Sequence, residues 1–94
     1  MPDVVIWRNE SGAAEHKGRY VRYGLQKGSA DLVGLLAPDG KFLALEVKTS
    51  RGRLSTEQKL FLELVRSRGG FACVVRSVEE AVRAIERARN GEST

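Results

Sequence analysis

The sequence predicts a small α/β domain: a central mixed sheet of four or five strands with at least two helices packed against it. Two nearly continuous apolar runs, residues 32–37 and 42–47, flank a Pro-Asp-Gly turn, as in a hairpin buried on both faces. A helix start signal follows at residues 55–58, and then a third apolar run, Phe71–Val75. This strand–helix–strand order predicts a parallel pair joined by a right-handed crossover, within one domain of 94 residues.

The segment before the hairpin predicts two further strands. Val4–Arg8 is a short β-like run, expected as an edge or first strand, and residues 9–18 are polar and predict a loop. His16, the single histidine, is then either a general base or an exposed loop histidine. Arg19–Tyr23 alternates imperfectly and fits a strand, and residues 24–29 predict a loop that leads to Asp31.

The segment after the hairpin predicts the two helices. Ser55-x-x-Gln58 is a capping box that begins a helix over residues 56–68, which ends at Gly69-Gly70. Residues 77–80 form a second capping box, and residues 90–94 are expected to fray. Helical spacing predicts two buried stripes: Leu60, Phe61, Leu64 and Val65 in the first helix, and Val78, Ala81, Val82 and Ile85 in the second.

Composition restricts the partners. The net charge of +4 and the pI of about 9.6 suit a polyanion without demanding one. The positive charge is concentrated in residues 17–27 and 48–53, which hold no acid. Cys73, the single cysteine, lies in an apolar run, so it predicts a buried thiol in a reducing cytoplasm. No stretch has the length of a membrane span or the character of a signal peptide, so no membrane partner is expected.

Charged side chains interrupt the apolar hairpin at one end. Glu46 and Lys48 are two residues apart and share a face of their strand, and hairpin pairing brings Asp31 close to Glu46. Charges beside a buried strand are costly unless they are paired or bind a metal. One interpretation is a hydrolytic Mg²⁺ site, in which the lysine orients water or neutralises phosphate charge. The other is an ion-pair network at a strand end.

Resemblance to a known family favours the hydrolytic interpretation. Asp31 followed by Glu46-Val47-Lys48 matches the D…(D/E)xK pattern of the PD-(D/E)xK nucleases. More narrowly, residues 19–85 resemble a stand-alone VRR-NUC domain, a type found in phages and fused to repair nucleases. The resemblance rests on residues 28–34 (GSADLVG), 46–48 (EVK), 52–55 (GRLS), Gln58, 69–72 (GGFA) and 77–79 (SVE).

This resemblance implies a metal-dependent DNA endonuclease with a restriction-endonuclease-like fold. Asp31, Glu46 and the Val47 carbonyl would hold Mg²⁺ or Mn²⁺, Lys48 would position water, and Gln58 would assist. For Gln58 the alternative is a purely structural role as the helix cap, with its side chain turned away from the site. The basic or small residues expected to contact DNA are Lys17, Arg19, Arg22, Lys27, Ser29, Arg51 and Arg53. For Arg19 and Arg22 the alternative is an exposed amphipathic strand.

The chain departs from the family pattern before residue 19. Family members usually begin with a helix whose glutamate joins the metal site, whereas residues 1–18 do not read as a helix, so Glu10, Glu15 or neither completes the site. Ser29-Ala30 precedes Asp31 where a proline is common. The predicted organisation is one domain over residues 1–94, with a strand and loop (1–18), a core (19–85) and a frayed tail (90–94).

The expected partner is duplex or branched DNA, such as flap or Holliday-junction-like DNA in replication, repair or recombination. A homodimer is also expected, with no small-molecule cofactor, in the bacterial or phage-host cytoplasm. The alternative function is a non-catalytic nucleic-acid-binding module that keeps the nuclease fold. Arg87 and Arg89 in the second helix are interpreted as a solvated helix face rather than as DNA contacts.

Overall fold

The architecture is a four-stranded mixed sheet with one helix on each face. The structure, a computed structural model, describes residues 2–9, 12–16, 19–23 and 28–94. In chain order the elements are β1 (Val4–Arg8), β2 (Gly12–His16), β3 (Arg19–Tyr23), β4 (Leu32–Leu36), β5 (Lys41–Val47), α1 (Thr56–Ser67), β6 (Phe71–Val75) and α2 (Val78–Arg89).

The sheet has the order β1-β4-β5-β6. β4 pairs antiparallel with β1 and with β5, and β5 pairs parallel with β6, so the predicted hairpin and the parallel pair are both confirmed. Gly34 lets β1 lie close to β4, because a Cβ at position 34 would stand 2.3 Å from the Val5 carbonyl oxygen. The sequence predicts β6 as an interior strand; in the sheet described it is the last strand, although its side chains are mostly buried.

The two helices cover opposite faces of the sheet, which explains the apolar runs. On the α2 face the core contains Leu43, Phe71 and Ala84, and on the α1 face it contains Ala44 and Phe61. Burying each large apolar side chain contributes about 1.5–3 kcal/mol. Successive residues of β5 therefore alternate between two apolar cores, and Glu46 falls on the α1 face with Ala44.

Residues 9–18 are predicted as a loop, and this is wrong over Gly12–His16. These residues form β2, which pairs antiparallel with β3 in a separate two-stranded sheet, with Ala14 opposite Val21. The prediction failed because the polar and small residues of β2 have low intrinsic strand propensity, whereas pairing with β3 supplies the backbone hydrogen bonds.

The buried stripe of α1 is rotated from the predicted one. Phe61, Leu62 and Val65 are buried, whereas Leu60 and Leu64 are exposed. Spacing alone does not fix which face of α1 meets the sheet, and the docking of α1 over β5 and β6 turns Leu62 into the contact and leaves Leu60 and Leu64 outside it.

The stripe of α2 is displaced in the same way. Ala84, Ile85 and Ala88 are buried, whereas Val78 is 77% exposed and Val82 41% exposed. The alanines are buried because their short side chains let the helix approach the large side chains of the sheet closely. The larger valines lie outside the contact.

The start and end of α2 differ from the predictions in two respects. The Ser77 hydroxyl accepts a hydrogen bond from the Glu80 N–H, but the Glu80 carboxylate accepts from Arg76 N–H, so the reciprocal half of the capping box is displaced by one residue. The 90–94 tail, predicted to fray, is tied to β6 through Ser93, whose carbonyl accepts from the Ala72 N–H at 3.0 Å. The tail thereby covers a polar backbone group on the last strand.

Among the described residues, neither twelve-residue helix combines the length and the apolar character that crossing a bilayer requires. Cys73 is buried and unpaired, as predicted, and burial raises the pKa of its thiol.

Candidate active site

The carboxyl end of β5 brings together Asp31, Glu46 and Lys48. The β4–β5 register pairs Leu32 with Leu45, so Asp31 lies beside the end of β5, where its Oδ2 accepts the Val47 N–H at 3.0 Å. Lys48 Nζ lies 3.7 Å from Glu46 Oε1. The three side chains therefore meet at one edge of the sheet, as the strand periodicity predicts.

Glu46 is the buried member of this group, with an exposed fraction of only 2%. Its Oε1 accepts a hydrogen bond from Gln58 Nε2 at 3.0 Å, and Lys48 lies near the same oxygen. Its Oε2 is buried without a hydrogen-bond donor among the described residues. A buried carboxylate oxygen without a donor is costly, so this oxygen is suited to a cation or a proton.

The pKa of Glu46 reflects the same environment. The pKa of Glu46 is raised from the ordinary 4.5 to about 7, first by burial and then by the negative charge of Asp31, while Lys48 opposes both effects. Near neutral pH the Glu46 carboxyl can therefore hold a proton, and a divalent cation would supply the same neutralisation with more charge. The potential metal ligands at this site are carboxylate oxygens, which suit Mg²⁺ or Mn²⁺. No group of three or more His, Cys, Asp and Glu residues able to hold a metal lies among the described residues.

Gln58 combines two roles that the sequence interpretation treats as alternatives, and that separation is wrong. Its Oε1 accepts the Ser55 N–H at 2.8 Å, while the Ser55 hydroxyl accepts the Gln58 N–H, which completes the capping box. Its Nε2 meanwhile donates to Glu46. An amide has an acceptor at one atom and donors at the other, so one side-chain conformation caps α1 and orients Glu46.

Small residues before Asp31 allow protein packing. Gly28 has φ of 86°, and a Cβ there would stand 2.6 Å from the Cβ of Glu57, so only glycine fits against the first turn of α1. Asn9 Nδ2 donates to the Ser29 hydroxyl at 2.8 Å and to the Ala30 carbonyl at 3.0 Å. Ser29, predicted to contact DNA, thus already accepts a hydrogen bond within the protein, and Asn9 fixes the approach to Asp31.

Arg76 is a residue of this site that the sequence analysis did not identify. It follows β6 directly, and its Nη1 donates to the Thr49 carbonyl and, at 3.0 Å, to the Gly52 carbonyl. These two bonds tie down the loop that leaves Lys48. Its position after a parallel strand, next to the strand carrying Glu46, is the sequence signal that could have identified it.

The other predicted site residues have different outcomes. Arg51 and Arg53 are exposed on the loop after Lys48, as expected for DNA contacts. Arg19, Arg22, Glu15 and His16 lie in β2 and β3, of which only the backbone pairing is described, and Lys17, Lys27 and Glu10 lie outside the described residues.

The arginines near the end of α2 have protein partners. Arg87 lies 5.7 Å from the centre of the Phe71 ring, and Arg89 pairs with Asp3. Both residues are only partly exposed, so the interpretation as a freely solvated helix face is wrong for them.

Comparison with known families gives one match. The model of the VRR-NUC domain family matches residues 13–79, which is more than two thirds of the chain. No curated protein matches. The matched region includes Asp31, Glu46, Lys48 and Gln58, and the mixed sheet with its two helices is consistent with a restriction-endonuclease-like fold. The chain belongs to the VRR-NUC domain family, which indicates a nuclease-type function with DNA as its substrate.

Proposed function

We propose that the protein is a metal-dependent DNA endonuclease that hydrolyses phosphodiester bonds. Asp31, Glu46 and the Val47 carbonyl would hold Mg²⁺ or Mn²⁺. The observation that carries the proposal is the buried Glu46 Oε2, which faces no donor among the described residues. A group that served only as one partner of an ion pair would not need to keep this oxygen both buried and unpaired.

The cation, when bound, would stabilise negative charge that develops on the scissile phosphate. Lys48 follows Glu46 on the same face, where its ammonium would orient the attacking water and offset charge on the phosphate. Gln58 would hold the Glu46 carboxylate in one orientation. Asn9 and Arg76 would act as positioning residues, because they fix the segments before Asp31 and after Lys48.

The DNA-binding surface would include this edge of the sheet. Exposed basic residues after Lys48 and the basic run before Gly28 would contact backbone phosphates, with preference for branched or flap DNA in replication, repair or recombination. The proposed contacts are Lys17, Arg19, Arg22, Lys27, Ser29, Arg51 and Arg53. A homodimer would place two such sites on one branched substrate, and light scattering at micromolar concentration tests it: a mass of one chain contradicts pairing.

A second candidate is a non-catalytic DNA-binding module. The observation in its favour is that the described residues bring two carboxylates, not three, to the site. It predicts salt-dependent DNA binding without cleavage in any metal.

The deciding experiment compares wild type with Lys48→Ala. The proteins are incubated with duplex, flap and four-way-junction DNA in Mg²⁺, Mn²⁺ or EDTA. We expect cleavage by the wild type only with metal, and a loss of at least about 100-fold in Lys48→Ala, which lacks the group that orients water. Asp31→Ala should behave in the same way.

Arg83→Gln, which removes an exposed charge on α2, is the control for a general loss of DNA affinity. Full activity in Lys48→Ala or Asp31→Ala, with melting temperatures unchanged, would contradict the assignment. Binding without cleavage by the wild type would favour the non-catalytic module.

A further inference from the structure

A basic pocket opens beside the proposed catalytic site. It has a volume of about 350 Å³ and is lined by Gly52, Arg53, Leu54, Lys59 and Arg76. Three of these five residues are cationic and none is acidic. An open concavity of this composition suits a compact anion.

Three separate elements bring the cations together. Arg53 lies in the loop after β5, Lys59 lies in the first turns of α1, and Arg76 follows β6. Because β5 and β6 are parallel, their carboxyl ends meet at one edge of the sheet, the edge at which open α/β sheets bind ligands. The pocket is therefore a product of the fold and not of one basic run in the sequence.

The pocket shares a wall with the catalytic group. A Cβ at Gly52 would stand 3.2 Å from Lys48 Cβ and 3.3 Å from Lys48 Cδ, so the backbone of Gly52 packs directly on the lysine stem. Arg76 holds this wall through its bonds to the Thr49 and Gly52 carbonyls. An anion in the pocket would thus lie next to the scissile phosphate.

The other two cations have no counterion in the described part of the chain. Arg53 and Lys59 are exposed, and neither forms an ion pair or a side-chain hydrogen bond there. Arg76 contributes a third positive charge, because its hydrogen bonds to carbonyl groups do not neutralise it. Like charges gathered in one concavity repel one another unless an anion is present.

We propose that this pocket is a second phosphate subsite, in which Lys59 and Arg53 bind a phosphate of the DNA strand beside the scissile one. Lys59 and Arg76 are thereby added to the DNA-binding residues, Lys59 as a contact and Arg76 as a positioning residue. The subsite rests on the proposed nuclease function, and it explains why the loop after Lys48 is tied to the end of β6.

The test is Lys59→Gln, because Lys59 is exposed and its replacement leaves the described contacts intact. Binding of labelled duplex DNA is measured by fluorescence anisotropy in EDTA over a series of salt concentrations, with Arg83→Gln as the matched single-charge control. Loss of one phosphate contact should reduce the slope of log K against log salt by about 0.9 in Lys59→Gln and leave it unchanged in Arg83→Gln. In cleavage assays the effect should fall on KM more than on kcat.

Duplexes with and without a 5′-phosphate identify the source of the anion. If Lys59→Gln changes the salt slope equally for both duplexes, the subsite binds a backbone phosphodiester. If the change is confined to the phosphorylated duplex, the subsite binds the phosphate at a strand end. Both results support the subsite. Equal salt slopes for Lys59→Gln and Arg83→Gln would overturn it. Failure of the nuclease proposal looks different, because the wild type would then bind or ignore DNA without ever cleaving it.

Discussion

The two ends of the central sheet hold carboxylates in opposite situations. At one end the two oxygens of Asp3 each accept a hydrogen bond from Arg89, Oδ2 from Nε at 2.6 Å and Oδ1 from Nη2 at 2.8 Å, and these hydrogen bonds lower the pKa of Asp3. At the other end Glu46 is buried with one oxygen unpaired, and its pKa is raised to about 7. The Asp3 carboxylate is paired within the protein, whereas the unpaired oxygen of Glu46 can take a proton or a cation.

The difference indicates that the Asp3 end stabilises the fold, whereas the Glu46 end is a candidate for function. The Asp3–Arg89 pair ties the start of β1 to the end of α2, where Lys41 also donates to the carbonyls of Ala88 and Glu92. Glu46 does not stabilise its end of the sheet in this way, because a buried charge without full pairing costs free energy of folding. A residue retained at such a cost is a candidate for chemistry.

The largest effect is expected from Glu46→Gln. Cleavage should fall by at least about 100-fold, since replacing even an outer partner of a metal ligand commonly costs 10- to 100-fold. Stability in EDTA at pH 8 should rise, because the neutral amide removes a buried charge and can donate to Asp31. Cleavage assays and thermal melts measure the two quantities. A lower melting temperature in the variant would contradict the comparison between the two ends.

The pH dependence of stability in wild type and Glu46→Gln tests the same contrast between the two ends of the sheet. The folded pKa of Glu46, about 7, lies above its ordinary 4.5, so the folded state holds the proton more tightly. The stability that this bound proton contributes is fully present below about pH 4.5 and is lost as the pH rises through 7. In EDTA, wild type should therefore lose stability relative to Glu46→Gln over this range. Parallel melting curves from pH 4.5 to 8 would contradict it.

A second, smaller effect on cleavage is expected from Gln58→Glu. A glutamate can still accept the Ser55 N–H as a capping-box residue, but it can no longer donate to Glu46 and adds a third negative charge nearby. Cleavage should fall by about 10- to 100-fold. Helix content by circular dichroism is the control, and it should match wild type at pH 8. Equal cleavage by both proteins would show that Gln58 only caps the helix.

The smallest effect is expected from Asp3→Asn at the opposite end. The melting temperature at pH 7 should fall slightly, because the pair with Arg89 is partly exposed, while cleavage stays unchanged. The sign of the pH dependence is opposite to that of Glu46. The stability from Asp3 is present above its ordinary 3.8 and is lost as the pH falls through its lowered pKa. A loss of cleavage in Asp3→Asn would contradict the separation of the two ends.

Local signals predicted much of this arrangement correctly. The apolar runs and the Asp-Gly turn gave the β4–β5 hairpin, and Ser55 gave the start of α1, because turn and cap chemistry act over three or four residues. Strand periodicity placed Glu46 and Lys48 on one face. These inferences needed no knowledge of distant parts of the chain.

Other features depended on contacts between distant segments. Which arc of each helix is buried was decided by docking on the sheet, so Leu60 and Val78 are exposed despite their apolar character. The Gly12–His16 strand needed β3 as its partner, and the 90–94 tail needed the backbone of β6.

The sequence by itself determined the apolar hairpin, the first helix cap and the set of charged residues at one strand end, because each depends on neighbours a few residues apart. Only the tertiary structure decided that Glu46 is buried with an unpaired oxygen, that Gln58 reaches it while capping α1, and that Arg53, Lys59 and Arg76 meet in one pocket. Burial and the convergence of separate elements arise from long-range packing, which local patterns do not encode.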